Sequence, residues 1–209
     1  MRLDYVPNQS QLKCVHELDC DLLPYIQQEV MDWIEAKTDF KSNTTDRGFW
    51  KQIDYRDLAK YTPSLMRFFK LINIPIRQIT VGLLTESMRQ RGFNLHMGAP
   101  PYNFKINFPI YNTEDVWTEW YDIPRNDLEN LQTRKNQHTD SEQIDLSVLH
   151  DTVQDLYPCL LRYNMHKNPI IFNSYIPHRV MPGPNAKYPR IMLATMPIID
   201  PVDLMKRIA

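Results

Sequence analysis

Glycine is scarce in this chain: five residues in 209, against sixteen prolines. So little glycine leaves no G-x-G-x-x-G or G-x-x-x-x-G-K run, which excludes the familiar phosphate-cradling loops. The prolines point instead to a strand-rich fold with pinned turns. Cysteine is also rare. Cys14, Cys20 and Cys159 are an odd number at spacings that match no zinc motif, and they read as reduced, buried thiols. An excess of either charge is missing too, since 24 basic and 25 acidic side chains leave a net charge of −1. Such a balance gives no general pull toward nucleic acid or an anionic membrane, and neither is expected as a partner. No run of about 18 apolar residues and no signal-peptide core are present, so the expected location is the cytoplasm. There is no internal repeat and no low-complexity tract.

What is present suits a single domain over residues 1–209, with 43% hydrophobic residues to build a core. Residues 1–75 read as a helical N-terminal layer. Pro24 opens a helix in which Ile26, Val30, Trp33 and Ile34 recur at helical spacing, and Trp33 is expected to pack on a sheet. After a polar loop at 41–48, Phe49 and Trp50 re-enter the core. Thr62 and Pro63 start a second helix with the stripe Leu65, Phe68, Phe69 and Ile72. Residues 76–85 form the first strand. Along 102–110 apolar and polar residues alternate strictly, Phe104, Ile106 and Phe108 on one face and Asn103, Lys105 and Asn107 on the other. That polar face is either solvated or turned inward. A turn at 112–115 leads to a partner strand at 116–123, read as the second arm of a hairpin. Residues 124–147 are polar, charged and the least strand-like part, with 134–141 read as a mobile surface loop or lid, 146–156 as a short helix or strand, 157–163 as a strand, and 202–207 as a short terminal helix.

The stretch with the most chemistry lies near the C-terminal end. Residues 170–180 and 188–196 read as two strands joined by a turn at Pro182, Gly183, Pro184 and Asn185, so that His178 and Arg190 project from neighbouring strands. A second histidine, His96, stands upstream in Asn94-Leu95-His96-Met97-Gly98. A histidine opening an H-x-acid motif, a distal histidine after several strands, and an arginine about a dozen residues later form the pattern of the non-haem Fe(II), 2-oxoglutarate-dependent oxygenases. Over roughly residues 76–197 the chain resembles that superfamily. It departs from it at one place, where Gly98 stands in the position of the acid.

The resemblance implies a mainly β fold, a double-stranded β-helix or jelly roll over 76–197, with the N-terminal helices on its outside and 198–209 as a tail. It implies Fe(II) held by His96 and His178, and 2-oxoglutarate held by Arg190, whose planar fork suits a bidentate carboxylate. The implied activity is oxidation of an unactivated C–H bond of a small-molecule or peptidyl substrate by molecular oxygen. Gly98 leaves three possibilities open: chloride in the vacancy, as in the 2-oxoglutarate halogenases; water there, as in the aspartyl/asparaginyl β-hydroxylases; or a silent binding or structural protein, of a phage type, on the oxygenase scaffold. In the β-hydroxylase group a basic and a polar residue follow the first histidine by nine and eleven positions, where this chain has Lys105 and Asn107, so the resemblance makes these two cosubstrate-binding. His138-Thr139-Asp140 is a literal H-x-D, but no apolar strand follows to hold Asp140 rigidly. His16, His150 and His166 read as surface or structural. Trp117, Trp120 and Tyr121 either line a pocket or pack in the sheet. Oligomeric state is not legible.

Overall fold

The structure is a computed structural model that describes residues 14–38, 49–90, 92–98, 104–135, 142–199 and 203. In chain order the N-terminal part gives β1 (Val15–Glu17), α1 (Leu23–Lys37), β2 (Phe49–Gln52), α2 (Tyr55–Tyr61) and α3 (Pro63–Leu71). There follow β3 (Ile76–Leu84), β4 (Phe93–His96), β5 (Phe104–Tyr111), β6 (Val116–Tyr121), α4 (Arg125–Glu129), β7 (Thr133–Lys135) and β8 (Glu142–Ile144). The chain continues through α5 (Val153–Leu156), β9 (Cys159–Asn164), β10 (Ile170–Asn173), β11 (His178–Pro182) and β12 (Arg190–Pro197).

Ten of these strands make two antiparallel sheets, a large one in the order β1-β10-β5-β12-β3-β2 and a small one in the order β4-β11-β6-β9. From β3 onward the strands alternate between the sheets except at β6 and β9, which pair in the small one on either side of the β7–β8 ribbon: β3, β5, β10 and β12 lie in the large sheet, and β4, β6, β9 and β11 in the small one. This interleaving is the double-stranded β-helix, and the fold is mainly β.

The helices explain which face of the large sheet looks inward. Ile26, Val30, Trp33 and Ile34 of α1 join Leu65, Phe68 and Phe69 of α3 in one buried cluster with Ile79, Val81, Leu83, Phe104, Ile106, Phe108, Ile191 and Leu193. Phe108 packs edge-on to Phe68 and Phe69, with ring centroids 5.4 and 6.0 Å away. Because side chains alternate along a strand, Thr80, Lys105, Asn107, Arg190 and Met192 point the other way, toward the small sheet. Between the sheets Trp120, Ile170, Phe172, Ile176 and Met192 form one apolar cluster, and Leu84, Val116, Val180 and Ala186 another.

Several expectations need correction. Residues 170–180 are not one strand: β10 belongs to the large sheet and β11 to the small one. The break is made by the Asn173 side chain, whose Oδ1 accepts the Tyr175 N–H at 3.0 Å and turns the chain before Pro177. His178 and Arg190 therefore lie on opposite sheets, not on neighbouring strands. The hairpin expected from 104–123 is likewise a crossing between sheets. Asn112 and Asp115 adopt φ of 50° and 53°, and the amide of Gly183 donates to the Asp115 carbonyl at 2.7 Å, which ties this crossing to the β11–β12 turn. The N-terminal layer is not purely helical, since β1 and β2 edge the large sheet. The polar stretch 124–147 contains α4 and the β7–β8 ribbon, while residues 136–141, most of the loop or lid expected at 134–141, lie outside the described residues. Cys159 is exposed rather than buried, while burial pushes the half-buried Cys14 thiol up to about 11. The terminal helix expected at 202–207 lies outside the described residues but for residue 203.

Phe108→Ala should lower stability by about 3–5 kcal/mol through the cavity it leaves. Urea denaturation checks this, and a loss near zero would mean that α3 is not seated on β5 as described.

Candidate functional site

Two of the strands that carry the site are antiparallel partners. In the β4–β11 pair the Cα of His178 stands opposite that of His96, and the two imidazole rings lie 4.2 Å apart at 59°. His178 is 1% exposed. Its ring stands edge-on to Phe172 at 4.7 Å and beside Trp120 at 6.4 Å, inside the barrel. Trp120 is itself fixed by an Nε1–H bond of 3.1 Å to the Asn173 carbonyl.

Each ring is oriented by a carbonyl two residues before it. His96 Nδ1 lies 2.7 Å from the Asn94 oxygen, and His178 Nδ1 lies 2.8 Å from the Ile176 oxygen. A carbonyl can only accept, so each Nδ1 carries the hydrogen, and in the neutral ring Nε2 carries a lone pair. Burial drives the His178 imidazole well below its ordinary value, and the nearby His96 and Lys105 charges add to that effect. His178 is therefore neutral at physiological pH, the state in which imidazole serves as a metal ligand.

The large sheet contributes the cations. Lys105 pairs across strands with Phe172, the residue against the His178 ring. Burial pulls the ammonium of this half-buried lysine below the usual lysine value. Arg190 opens β12 opposite Leu84, which packs with Val116 and Val180. Val116 lies four residues along β6 from Trp120, the partner of His178, so Arg190 sits about 13 Å along the barrel from the histidine pair. Arg190 is 4% exposed, burial lowers its guanidinium to about 10, and its Nε has no hydrogen-bond partner among the described residues. The hydroxyl of Tyr188 and the Oδ1 of Asn107 are buried in the same condition. Gly98 donates its amide to the Ser174 carbonyl at 2.6 Å, which anchors the chain just past His96 beside the β10–β11 bend.

These residues fit a divalent metal in part. Two imidazoles with their Nδ1 atoms bonded to carbonyls are suitable donors. No group of three or more His, Cys, Asp or Glu side chains that could hold a metal occurs among the described residues. His138 and Asp140 lie outside them.

Sequence reasoning missed the residues behind the pair. Arg179, Glu119, His150 and Gln154 make a polar cluster on the outer face of the small sheet. His150 is 5% exposed, so a surface role is excluded. Burial raises the Glu119 carboxyl, but hydrogen bonds from Tyr121 and Arg179 outweigh it and hold the group below the usual glutamate value. Tyr121 faces this cluster, whereas Trp120 faces the barrel interior.

No protein-family model matches the chain, and no curated protein matches it. Among solved structures it is similar to ycfD of E. coli, at 12% identity over 76% of this chain and 35% of that one, with a TM-score of 0.42. The chain thus spans about a third of that protein. It is also similar to HygX from Streptomyces hygroscopicus, solved with nickel and 2-oxoglutarate bound, at 11% identity over 87% of this chain and 80% of that one, with a TM-score of 0.43. Likenesses this distant carry no functional information for this chain.

The buried, neutral His178 makes stability depend on pH. In the unfolded chain the imidazole titrates near its ordinary value of 6.5, while in the folded chain it does so well below. The unfolded state then binds more protons below pH 6.5, and stability should fall as the pH drops through that value toward the folded one. Chemical denaturation at pH 7.5 and 5.5 should show a smaller decline in His178→Leu than in the wild type. Equal declines would show that His178 is not the group responsible.

Proposed function

We propose that this protein is an Fe(II)- and 2-oxoglutarate-dependent oxygenase with a two-histidine metal site. The reading is carried by one observation: His96 and His178 are cross-strand partners with both Nδ1 atoms committed to carbonyls, inside a barrel whose other sheet offers the desolvated Arg190. His96 and His178 would hold the metal through Nε2. Metal and 2-oxoglutarate together supply the oxidising power for an unactivated C–H bond, with oxygen as oxidant and succinate and carbon dioxide as by-products.

The chain's own residues have separable tasks. Arg190 receives the far carboxylate of the cosubstrate, since a buried guanidinium without a partner gains most from a bidentate anion. Lys105 and Asn107, on the same inner face nearer the histidines, hold anionic or polar groups of cosubstrate or substrate. Trp120 and Phe172 wall the His178 ring and keep water from it.

Gly98 brings no charge to the site, and imidazole ligands bring none either, so a metal held there would keep its positive charge uncompensated, and Lys105 would add to it. An anion must complete the shell. The 2-oxoglutarate dianion supplies one, and the position a carboxylate would fill is left for water, which leads to hydroxylation, or for chloride, which leads to halogenation. The same charge deficit favours, as a second reading, a silent binding protein on this scaffold.

Anaerobic addition of Fe(II) and 2-oxoglutarate should produce the visible charge-transfer band of the chelated cosubstrate, absent in His96→Ala and His178→Ala. Arg190→Ala should weaken 2-oxoglutarate binding by at least about 30-fold, the loss expected for a charge-assisted bond of roughly 2 kcal/mol or more. A folded wild type with no band at any concentration, chloride present or absent, would put the silent protein first.

A further inference from the structure

Strand alternation sends His178 into the barrel and its neighbour Arg179 out through the other face of β11. Arg179 is 5% exposed, yet every guanidinium nitrogen has an acceptor. Nε donates to Glu119 Oε2 at 2.8 Å, Nη1 to the His150 carbonyl at 2.7 Å, and Nη2 to Gln154 Oε1 at 3.0 Å. The guanidinium also lies 5.3 Å from the Tyr121 ring, and the Tyr121 hydroxyl donates to the same Glu119 oxygen at 2.6 Å. Arg162 approaches the other Glu119 oxygen at 3.4 Å.

The His150 carbonyl links this cluster to the second histidine strand. Among the described residues β4 is an edge strand, bonded only to β11 in the small sheet. The buried amide of Leu95, the residue before His96, donates to His150 Nδ1 at 3.2 Å. A buried backbone N–H needs an acceptor, and here the ring supplies one where no further strand does. Arg179 holds His150 by its main chain, and His150 holds β4 by its side chain. One face of β11 thus carries His178, while the other carries the tether of the strand that bears His96.

We propose that Arg179 and His150 are positioning residues, a clamp behind the small sheet that keeps β4 in register on β11 and so holds the His96 ring against the His178 ring. The purpose of this clamp rests on the metal-site reading, but its geometry does not. Without the acceptor on His150 the Leu95 amide is left unpaired, β4 loosens at its edge, and the two imidazoles no longer face one point.

The test compares His150→Leu, which removes the acceptor, with His150→Asn, whose Oδ1 can stand where Nδ1 stood. Three quantities are measured on the full chain: Co(II) affinity, hydrogen exchange at the Leu95 amide, and the ring-to-ring nuclear Overhauser effect between His96 and His178. His150→Leu should weaken Co(II) binding by about 10-fold or more. It should also speed Leu95 exchange and lose the ring-to-ring signal, with His150→Asn recovering all three. Wild-type behaviour in His150→Leu, or equal losses in both variants, would overturn the clamp. If wild type binds no Co(II), the metal reading fails by itself, and the exchange and ring-to-ring responses still decide the clamp either way. Should His150→Leu not fold, Gln154→Ala removes one exposed acceptor from Arg179; a smaller change in the same direction supports the clamp, and none overturns it.

Discussion

Two imidazoles face each other across the β4–β11 pair, and one of them, His178, has no room to become charged. His178 is enclosed by Phe172, Trp120 and the rest of the barrel interior, so its protonation would place a cation beside Lys105 in a poorly solvated space. Neutrality leaves lone pairs on Nε2, because the Asn94 and Ile176 carbonyls claim the hydrogens on Nδ1. The surroundings obey the same constraint. Apolar residues of the large sheet form the wall, and the backbone bend at Asn173 delivers His178 to the small sheet opposite His96.

The two faces of each sheet do different work. The helix-covered face of the large sheet is almost wholly apolar and supplies the stability, with Trp33, Phe68, Phe69 and Phe108 at its centre. The inner face of that sheet carries Lys105 together with Thr80, Asn107 and Arg190, and the buried Thr80 Oγ1, Asn107 Oδ1 and Arg190 Nε, without partners among the described residues, detract from stability unless a ligand meets them. The small sheet reverses the arrangement: its inner face holds the histidines, and its outer face holds the Arg179–Glu119 cluster that satisfies itself. A cluster with every polar group paired fixes geometry, whereas the unpaired groups across the barrel remain available for binding.

Much of this was legible in the residues. The alternation of Phe104, Ile106 and Phe108 with Lys105 and Asn107 reports a strand covered on one face, and the helical spacing of Ile26, Val30 and Trp33 reports what covers it. The jelly roll was implied by the order of His96, His178 and Arg190. What could not be read was how strands partner. The run 170–180 reads as strand on both sides of its middle, and nothing in its composition shows that Asn173 and Pro177 send the halves to different sheets. For the same reason 104–123 looks like a hairpin although its arms belong to opposite sheets. The Arg179 cluster was invisible because Glu119 lies 60 positions away and Gln154 lies 25 away. Contacts at such separations leave no local pattern. The Leu95 amide bonding to His150 is a backbone event that no residue type announces.

In the proposed site two histidines stand without a carboxylate among the described residues, so that metal binding would depend on an anion. The most direct test of that dependence is the Fe(II) affinity measured anaerobically with and without saturating 2-oxoglutarate, in wild type and in Gly98→Asp. 2-Oxoglutarate should strengthen metal binding in the wild type by at least about tenfold, or roughly 1.4 kcal/mol of coupling. Gly98→Asp, which brings a carboxylate to the site, should bind Fe(II) more tightly alone and depend less on the cosubstrate. Equal Fe(II) affinity with and without 2-oxoglutarate, unchanged by Gly98→Asp, would contradict the dependence on an anion.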